Sequence, residues 1–387
     1  MNRSKFLYIL LIVIVMPLTG FGIDIYTPSL PAISSQLHVP FSAVKMTISL
    51  YLIGLCIGQL CFGAWSDSYG RKPTLIVGSI GFVLLSLIIP MIPNIYFIIF
   101  MRLLQGFFVA AMAVNCRSII ADVFTKEELP IASTYMTMAW SIGPIIAPLI
   151  GGYLQYYISW QSNFYFLASY GLIILSIIVS CFKETNLQRV KHPLKRIFTD
   201  YVTIIKHRQF MGALLLMAIG YAILVIFPLI SPFLVQNIFH QSPITYGRLA
   251  LLIGLTYLVG SLTNRYLLHF FAMDNLIKYS LFALILLNIL FVFISVVWSA
   301  TLYTLYMPTL LIVMSIGFLF PNCMGKSISY FAKMAGKAGA VVGTGFMFLT
   351  AIISIITNYL PIHSQLSLAI TFLVLSLFGL FARKILQ

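Results

Sequence analysis

Acidic residues are nearly absent from this chain: there are 8 Asp and Glu in 387 residues, and charged side chains of both signs make up only 8%. A water-soluble fold of this length must cover itself with polar groups, and 61% hydrophobic residues with a mean hydropathy of +1.03 leave too few to do so. A soluble architecture is excluded. The five cysteines (Cys56, Cys61, Cys116, Cys181, Cys323) fall mostly inside apolar runs, with no CxxC pair and no histidine at ligand spacing. That argues against a disulfide framework and against a metal site. The six histidines (His38, His192, His207, His240, His269, His363) lie in loops or at the ends of runs, none beside a nucleophile, so enzyme chemistry has no support and no cofactor is expected. Gly325-Lys326-Ser327 imitates the end of a nucleotide-binding loop, but Phe320 stands where its first glycine would be.

What the chain does contain is apolar runs long enough to cross a bilayer, whose core of roughly 30 Å takes about 20 helical residues. There are twelve, over about 6–33, 43–65, 73–92, 94–119, 130–155, 163–182, 209–235, 245–266, 276–298, 300–325, 338–360 and 364–382. Arg3 and Lys5 before the run from Phe6 to Met16 resemble a signal peptide, but no A-x-A-like site follows and the run continues past Gly20, so a retained first helix is expected. The fold class is therefore all-α, a polytopic membrane protein.

The net charge of +15 reads as an orientation signal rather than a nucleic-acid-binding face, because the basic residues occupy short gaps between runs. With both termini on the cytoplasmic side, 20 of the 23 Lys and Arg lie on that side, Lys45 and Arg248 on the other, and Arg102 within a span. The expected topology is N-in, C-in.

The longest polar interruption, Lys183 to Arg208, separates two six-helix bundles at residues 1–182 and 209–387. In this 183–208 linker Leu194, Ile197, Phe198, Tyr201, Val202 and Ile205 recur at helical spacing beside Lys195, Arg196 and Lys206, as in a basic helix on the membrane surface. Leu52-Ile53-Gly54-Leu55 recurs as Leu252-Ile253-Gly254-Leu255, each early in the second helix of its half. Two such repeats imply pseudo-two-fold symmetry about the membrane normal, with a site between the halves.

Seven acids (Asp67, Asp122, Glu127, Glu128, Glu184, Asp200, Asp274) fall in connections, and Asp24 alone lies within a span. An ionised carboxylate there is costly and marks function. Arg102, at similar depth in the fourth run, is its expected partner: desolvation favours the neutral acid, the guanidinium favours the carboxylate, and the balance suits a titrating site. A permanent ion pair pinning two helices is the alternative. Gly63, Ser66, Asp67, Gly70, Arg71, Lys72 and Pro73 form a turn between the second and third runs, in which Asp67 is expected to cap the following helix. Gly143, Pro144, Pro148, Gly151 and Gly152 give the fifth run a small-residue surface with two prolines expected to kink it.

Taken together these segments resemble the major facilitator superfamily. Gly63-Ala-Trp-Ser66-Asp67-Ser-Tyr-Gly70-Arg71-Lys72-Pro73 is similar to its loop signature and Arg102-Leu-Leu-Gln105-Gly106 to its helix 4 motif. Gly143-Pro144 through Gly151-Gly152 resembles the helix 5 motif of its drug/proton antiporters. Asp24-Ile-Tyr26-Thr-Pro28-Ser-Leu30-Pro31, with Pro321-Asn322 and Ala335-Gly336-Lys-Ala-Gly339, is similar to the Bcr/CflA-type efflux proteins.

The resemblance implies the major facilitator fold and a proton-coupled antiporter, exporting small organic molecules by alternating access around a cavity lined by helices 1, 4, 7 and 10. It implies Asp24 as the protonation site, Arg102 as its modulator, and Gly63, Asp67, Gly70, Arg71, Gly143, Pro144, Pro148, Gly151 and Gly152 as gating positions. Substrate-contact candidates by helix and depth are Tyr26, Tyr51, Gln105, Arg117, Met138, Tyr221, Asn322 and Lys326. The chain departs from relatives at Gln161 and at Lys326; a cavity-facing Lys326, with Arg102 and Arg117, would favour an anionic substrate over lipophilic cations. Two alternatives stand beside multidrug efflux: a dedicated exporter of an anionic metabolite or siderophore, and a transport-inactive sensor or scaffold. Expected partners are a small-molecule substrate, protons and the lipid bilayer, with a monomer in a bacterial cytoplasmic (inner) membrane and no nucleic acid.

Overall fold

A computed structural model describes residues 3–125, 127–186, 201–331, 335–362 and 364–386. Among them there are twelve helices long and apolar enough to span a bilayer and no strand, as a solvent offering no hydrogen bonds requires. We number them α1 (Lys5–Leu37), α2 (Phe41–Tyr69), α3 (Arg71–Met91), α4 (Ile95–Val123), α5 (Ile131–Tyr157), α6 (Gln161–Cys181), α7 (Arg208–Ile238), α8 (Pro243–Leu267), α9 (Met273–Val297), α10 (Leu302–Ser329), α11 (Lys337–Thr357) and α12 (Gln365–Leu386). The sequence-derived spans agree to within about four residues. The excess lies at the ends, because 28 or 29 residues in α2, α4 and α10 extend about 42 Å and overrun the hydrocarbon. Of the expected linker helix, Leu194, Ile197 and Phe198 lie outside the described residues; 201–206 is helical.

The chain divides into two compact units, Met1–His192 with Pro243–Gly247, and Pro193–Ser242 with Arg248–Gln387. In the first unit α1 is not one rod. Helical segments at Arg3–Val15, Pro17–Asp24 and Leu30–Leu37 are separated at Met16 and by a 3-10 turn at Thr27–Ser29. Pro17, Pro28 and Pro31 each sit at the N-terminal end of a segment, where a missing N–H costs nothing. By contrast α5 runs unbroken from Leu129 to Tyr157 through Pro144 and Pro148, so the expected kinks do not interrupt it.

Helices attract weakly in lipid and associate by backbone approach. α2 and α4 meet in this way: a Cβ on Gly54 would overlap the carbonyl of Leu103, one on Gly58 the carbonyl of Phe107, and one on Gly106 the carbonyl of Tyr51. In the second unit α7 is the central helix, with Phe210, Leu216, Tyr221 and Phe233 among its buried residues. Tyr221 packs on Phe320 of α10 and Phe346 of α11, with ring centroids 6.1 and 5.0 Å away. Asn264 of α8 and Asn322 of α10, both buried, exchange amide hydrogen bonds of 3.3 and 2.7 Å.

Because Gly106 leaves no room for a side chain, Gly106→Leu forces α2 and α4 apart; overpacking of this kind costs about 1–3 kcal/mol in packed cores. We expect loss of the monodisperse folded species on size-exclusion chromatography in detergent, with Gly106→Ala giving the smaller defect.

Candidate functional site

The site begins where α1 breaks. Tyr26 leaves helical geometry with φ −99° and ψ 3°, and the carbonyl of Gly22, one turn earlier, becomes available. Arg102 takes it: its Nη2 donates to Gly22 O at 2.6 Å, and its Nη1 donates to Gln105 Oε1 at 2.5 Å. Gln105 in turn donates to Ser86 Oγ at 2.7 Å. The guanidinium, 0% exposed, lies over the rings of Tyr26 and Tyr51 at 4.5 and 4.2 Å from their centroids. A cation faced by two aromatic rings and two oxygens is solvated by protein in place of water. Tyr26 is fixed by a 2.6 Å hydrogen bond between its hydroxyl and Thr47 Oγ1.

The expected ion pair between Asp24 and Arg102 is not formed. Among the described residues no cation lies within salt-bridge distance of Asp24, and its carboxyl accepts no hydrogen bond, although the residue is 9% exposed. The reason is local: the helix break offers Arg102 a neutral oxygen, and the tyrosines hold it there. Tyr26, Tyr51 and Gln105, expected to touch substrate, are each 0% exposed and form the cradle of Arg102 instead.

The other expected contacts are dispersed. Arg117 is partly buried on α4, with Nη2 donating to Gln59 Oε1 at 2.6 Å and Nε to Ala113 O at 3.2 Å. Met138 is 59% exposed on α5. Tyr221, Asn322 and Lys326 belong to the second unit. Lys326 is paired with Asp274 at the start of α9, so it is not the free cavity cation anticipated from sequence.

The small residues of α5 pack on α1. Gly143 leaves its would-be Cβ 2.9 Å from Gly20 Cα, Gly20 faces Pro144, and a Cβ on Gly151 would overlap the carbonyl of Ile25 beside the break. Gly152 faces the carbonyl of Pro243 within the same unit.

At the basic end of the first unit α2 runs to Tyr69 and α3 starts at Arg71, so the expected turn shrinks to Gly70 with φ 110°. Gly63 lies inside α2, where a Cβ would make only ordinary contact with Val114 at 3.9 Å. Asp67 does not cap α3. It accepts from Arg71 Nη1 at 2.6 Å, while Asp122 of α4 accepts from Arg71 Nε at 3.0 Å. The cap is Glu184, just beyond α6, whose carboxylate accepts from the backbone N–H groups of Arg71 and Lys72 at 2.9 and 3.0 Å. A Cβ on Gly70 would come 2.5 Å from that carboxylate, so Gly70 is required by space as well as by φ. Partial burial pushes the Glu184 carboxyl up, but N–H donors from Asn186, Arg71, Lys72 and Thr185 outweigh it and hold it below its ordinary value. Sequence reasoning missed Glu184; the available signal was that it is the only acid adjoining the end of the sixth run.

Among known proteins, the profile of the Major Facilitator Superfamily matches residues 12–356. The chain is 26% identical over 382 residues to Multidrug resistance protein D of Escherichia coli, covering 98% of this chain and 95% of that one. It is 24% identical over 345 residues to the Bicyclomycin resistance protein homolog of Haemophilus influenzae, covering 89% and 86%. To the Chloramphenicol resistance protein CraA of Acinetobacter baumannii it is 23% identical over 376 residues, covering 95% and 89%. The crystal structure of a D-xylose-proton symporter superposes with a TM-score of 0.75 at 14% identity, covering 97% of each chain, which establishes likeness of fold.

The Glu184 cap carries its own pH signature. A carboxyl held below its ordinary value stabilises the folded state at pH above the ordinary carboxylate range, and loses that contribution as pH falls through its lowered value. Glu184→Ala should cost roughly 1 kcal/mol at pH 7, the usual worth of a helix cap. Thermal unfolding in detergent should show the gap from the parent protein closing as pH drops below about 4.

Proposed function

This chain belongs to the Major Facilitator Superfamily, an integral membrane transporter and not an enzyme, and from that premise we propose that it is a proton-coupled antiporter exporting small organic molecules from the cytoplasm. The relatives are named for resistance to bicyclomycin, chloramphenicol and multiple drugs, which supports export of such compounds. The basic end faces the cytoplasm in this reading, with both termini there.

The observation that carries the coupling is Asp24: an acid within a span, nearly buried, next to a helix break and free of any counterion among the described residues. A carboxylate locked in an ion pair would stay charged through a cycle. One that meets only a variable amount of water changes charge as its surroundings open and close. In the proposed cycle a proton arriving from outside neutralises Asp24 and releases the substrate, and the acid gives up that proton on the cytoplasmic side. One charge falling through 100 mV supplies roughly 2.3 kcal/mol. Arg102 acts as a positioning residue, since its bond to Gly22 O holds the break that places Asp24. The glycine and proline face of α5 lets α1 and α5 slide at backbone contact during the switch.

Asp24→Asn keeps the size of the side chain and removes the titration. We expect it to fold normally, judged by size-exclusion chromatography and thermal unfolding, yet to abolish substrate-induced proton release from acid-loaded everted vesicles. Undiminished release would refute the coupling role of Asp24.

A further inference from the structure

The charges of the first unit do not balance, and the imbalance has a sign. Its acids on the basic face are occupied: Asp67 and Asp122 hold Arg71, Glu128 holds Lys5, and Glu184 caps α3. Glu127 lies in the surface turn before α5. Beyond these, α1 carries Asp24, α2 the buried Lys45 near its start, and α4 two guanidiniums, Arg102 and, towards the basic end, Arg117.

Arg102 is spent on the helix break. Arg117 is not: it lies fifteen residues further along α4, about 22 Å nearer the basic end. Its side chain does not reach out to the lipid surface but turns inward to Gln59 of α2, which is 6% exposed. Its partners Gln59 Oε1 and Ala113 O are neutral oxygens, and no carboxylate meets it among the described residues. Neutral acceptors orient a guanidinium without cancelling its charge, and a guanidinium drawn in between two helices and left uncancelled is suited to meet an anion. With Nε turned to Ala113 O and Nη2 to Gln59, Nη1 is left to donate to a carboxylate.

We propose that Arg117, steadied by Gln59, selects substrates that carry a carboxylate, an assignment of substrate class that rests on the efflux reading above. Lys326, the candidate that the sequence suggested for this role, is neutralised by Asp274, whereas among the described residues no carboxylate neutralises Arg117. The charge balance gives the proposal a second signature. Exchange of one proton inward for one monocarboxylate outward moves two charges per cycle, and exchange for a neutral molecule moves one. Carboxylate export therefore depends more steeply on membrane potential.

The test uses the full chain in everted vesicles, with fusidate as a monocarboxylate probe and chloramphenicol as a neutral one. Gln59→Glu places a carboxylate where Arg117 already donates, cancelling the charge without removing the side chain. We expect the ratio of fusidate to chloramphenicol uptake to fall about tenfold in Gln59→Glu and Arg117→Gln, and to be largely restored in Arg117→Lys. Collapsing the potential with valinomycin and potassium should slow fusidate more than chloramphenicol in the parent protein. An unchanged ratio in Gln59→Glu, or equal loss of both probes, overturns the assignment and leaves Arg117 a structural residue. Proton-driven uptake of chloramphenicol without fusidate overturns it while the efflux reading stands. Uptake of neither probe removes both.

Discussion

Hydrocarbon solvates nothing polar, so each charge inside the spans must be solvated by the protein, and the first unit is arranged around that demand. Arg102 shows how it is met. A helix break supplies the Gly22 carbonyl, Gln105 supplies a second oxygen, and Tyr26 and Tyr51 supply two ring faces. None of these partners is acidic. Both terminal nitrogens of the arginine are thus engaged by neutral oxygens, while Asp24, a short step along the same broken helix, is left without a counterion among the described residues.

That division depends on close backbone approach. Tyr51 reaches Arg102 because Gly106 lets α2 and α4 meet at the level of the Tyr51 carbonyl, and Tyr51 in turn fits against α1 because residue 22 is a glycine. α5 reaches the far side of the same break through Gly143 and Gly151. Small residues on three helices thus converge on one discontinuity, and a methyl group at any of them would displace the polar groups as well as the packing. At the basic end a different economy holds: Arg71 gathers Asp67 and Asp122, and Glu184 ties the exit of α6 to the start of α3.

Much of this was legible in the sequence because hydropathy and charge are local properties. Twelve runs, their limits to within about four residues, and the isolation of Asp24 and Arg102 needed no knowledge of tertiary contacts. The partners were not legible. Equal depth suggested that Asp24 and Arg102 pair, but depth along two axes says nothing of the angle at which side chains leave them, and a freed carbonyl in α1 is invisible in composition. Glu184 is 113 positions from the amide it caps, and Lys326 is 52 from Asp274, so neither bond follows from spacing. Tyr26, Tyr51 and Gln105 surround Arg102, an arrangement the sequence could not specify, because an aromatic side chain beside an arginine suits a substrate wall and a cation cradle equally well. Gly63 was read as part of a turn that the helix simply runs through.

A caged arginine beside an uncaged acid is also the arrangement that proton coupling calls for. A direct ion pair would hold Asp24 charged and stall the proposed exchange, whereas an arginine held by neutral groups contributes a steady positive potential and leaves the carboxyl to follow its hydration. In the proposed coupling the acid does not need to be attracted to its arginine to feel it; it needs the arginine to stay where the break in α1 holds it.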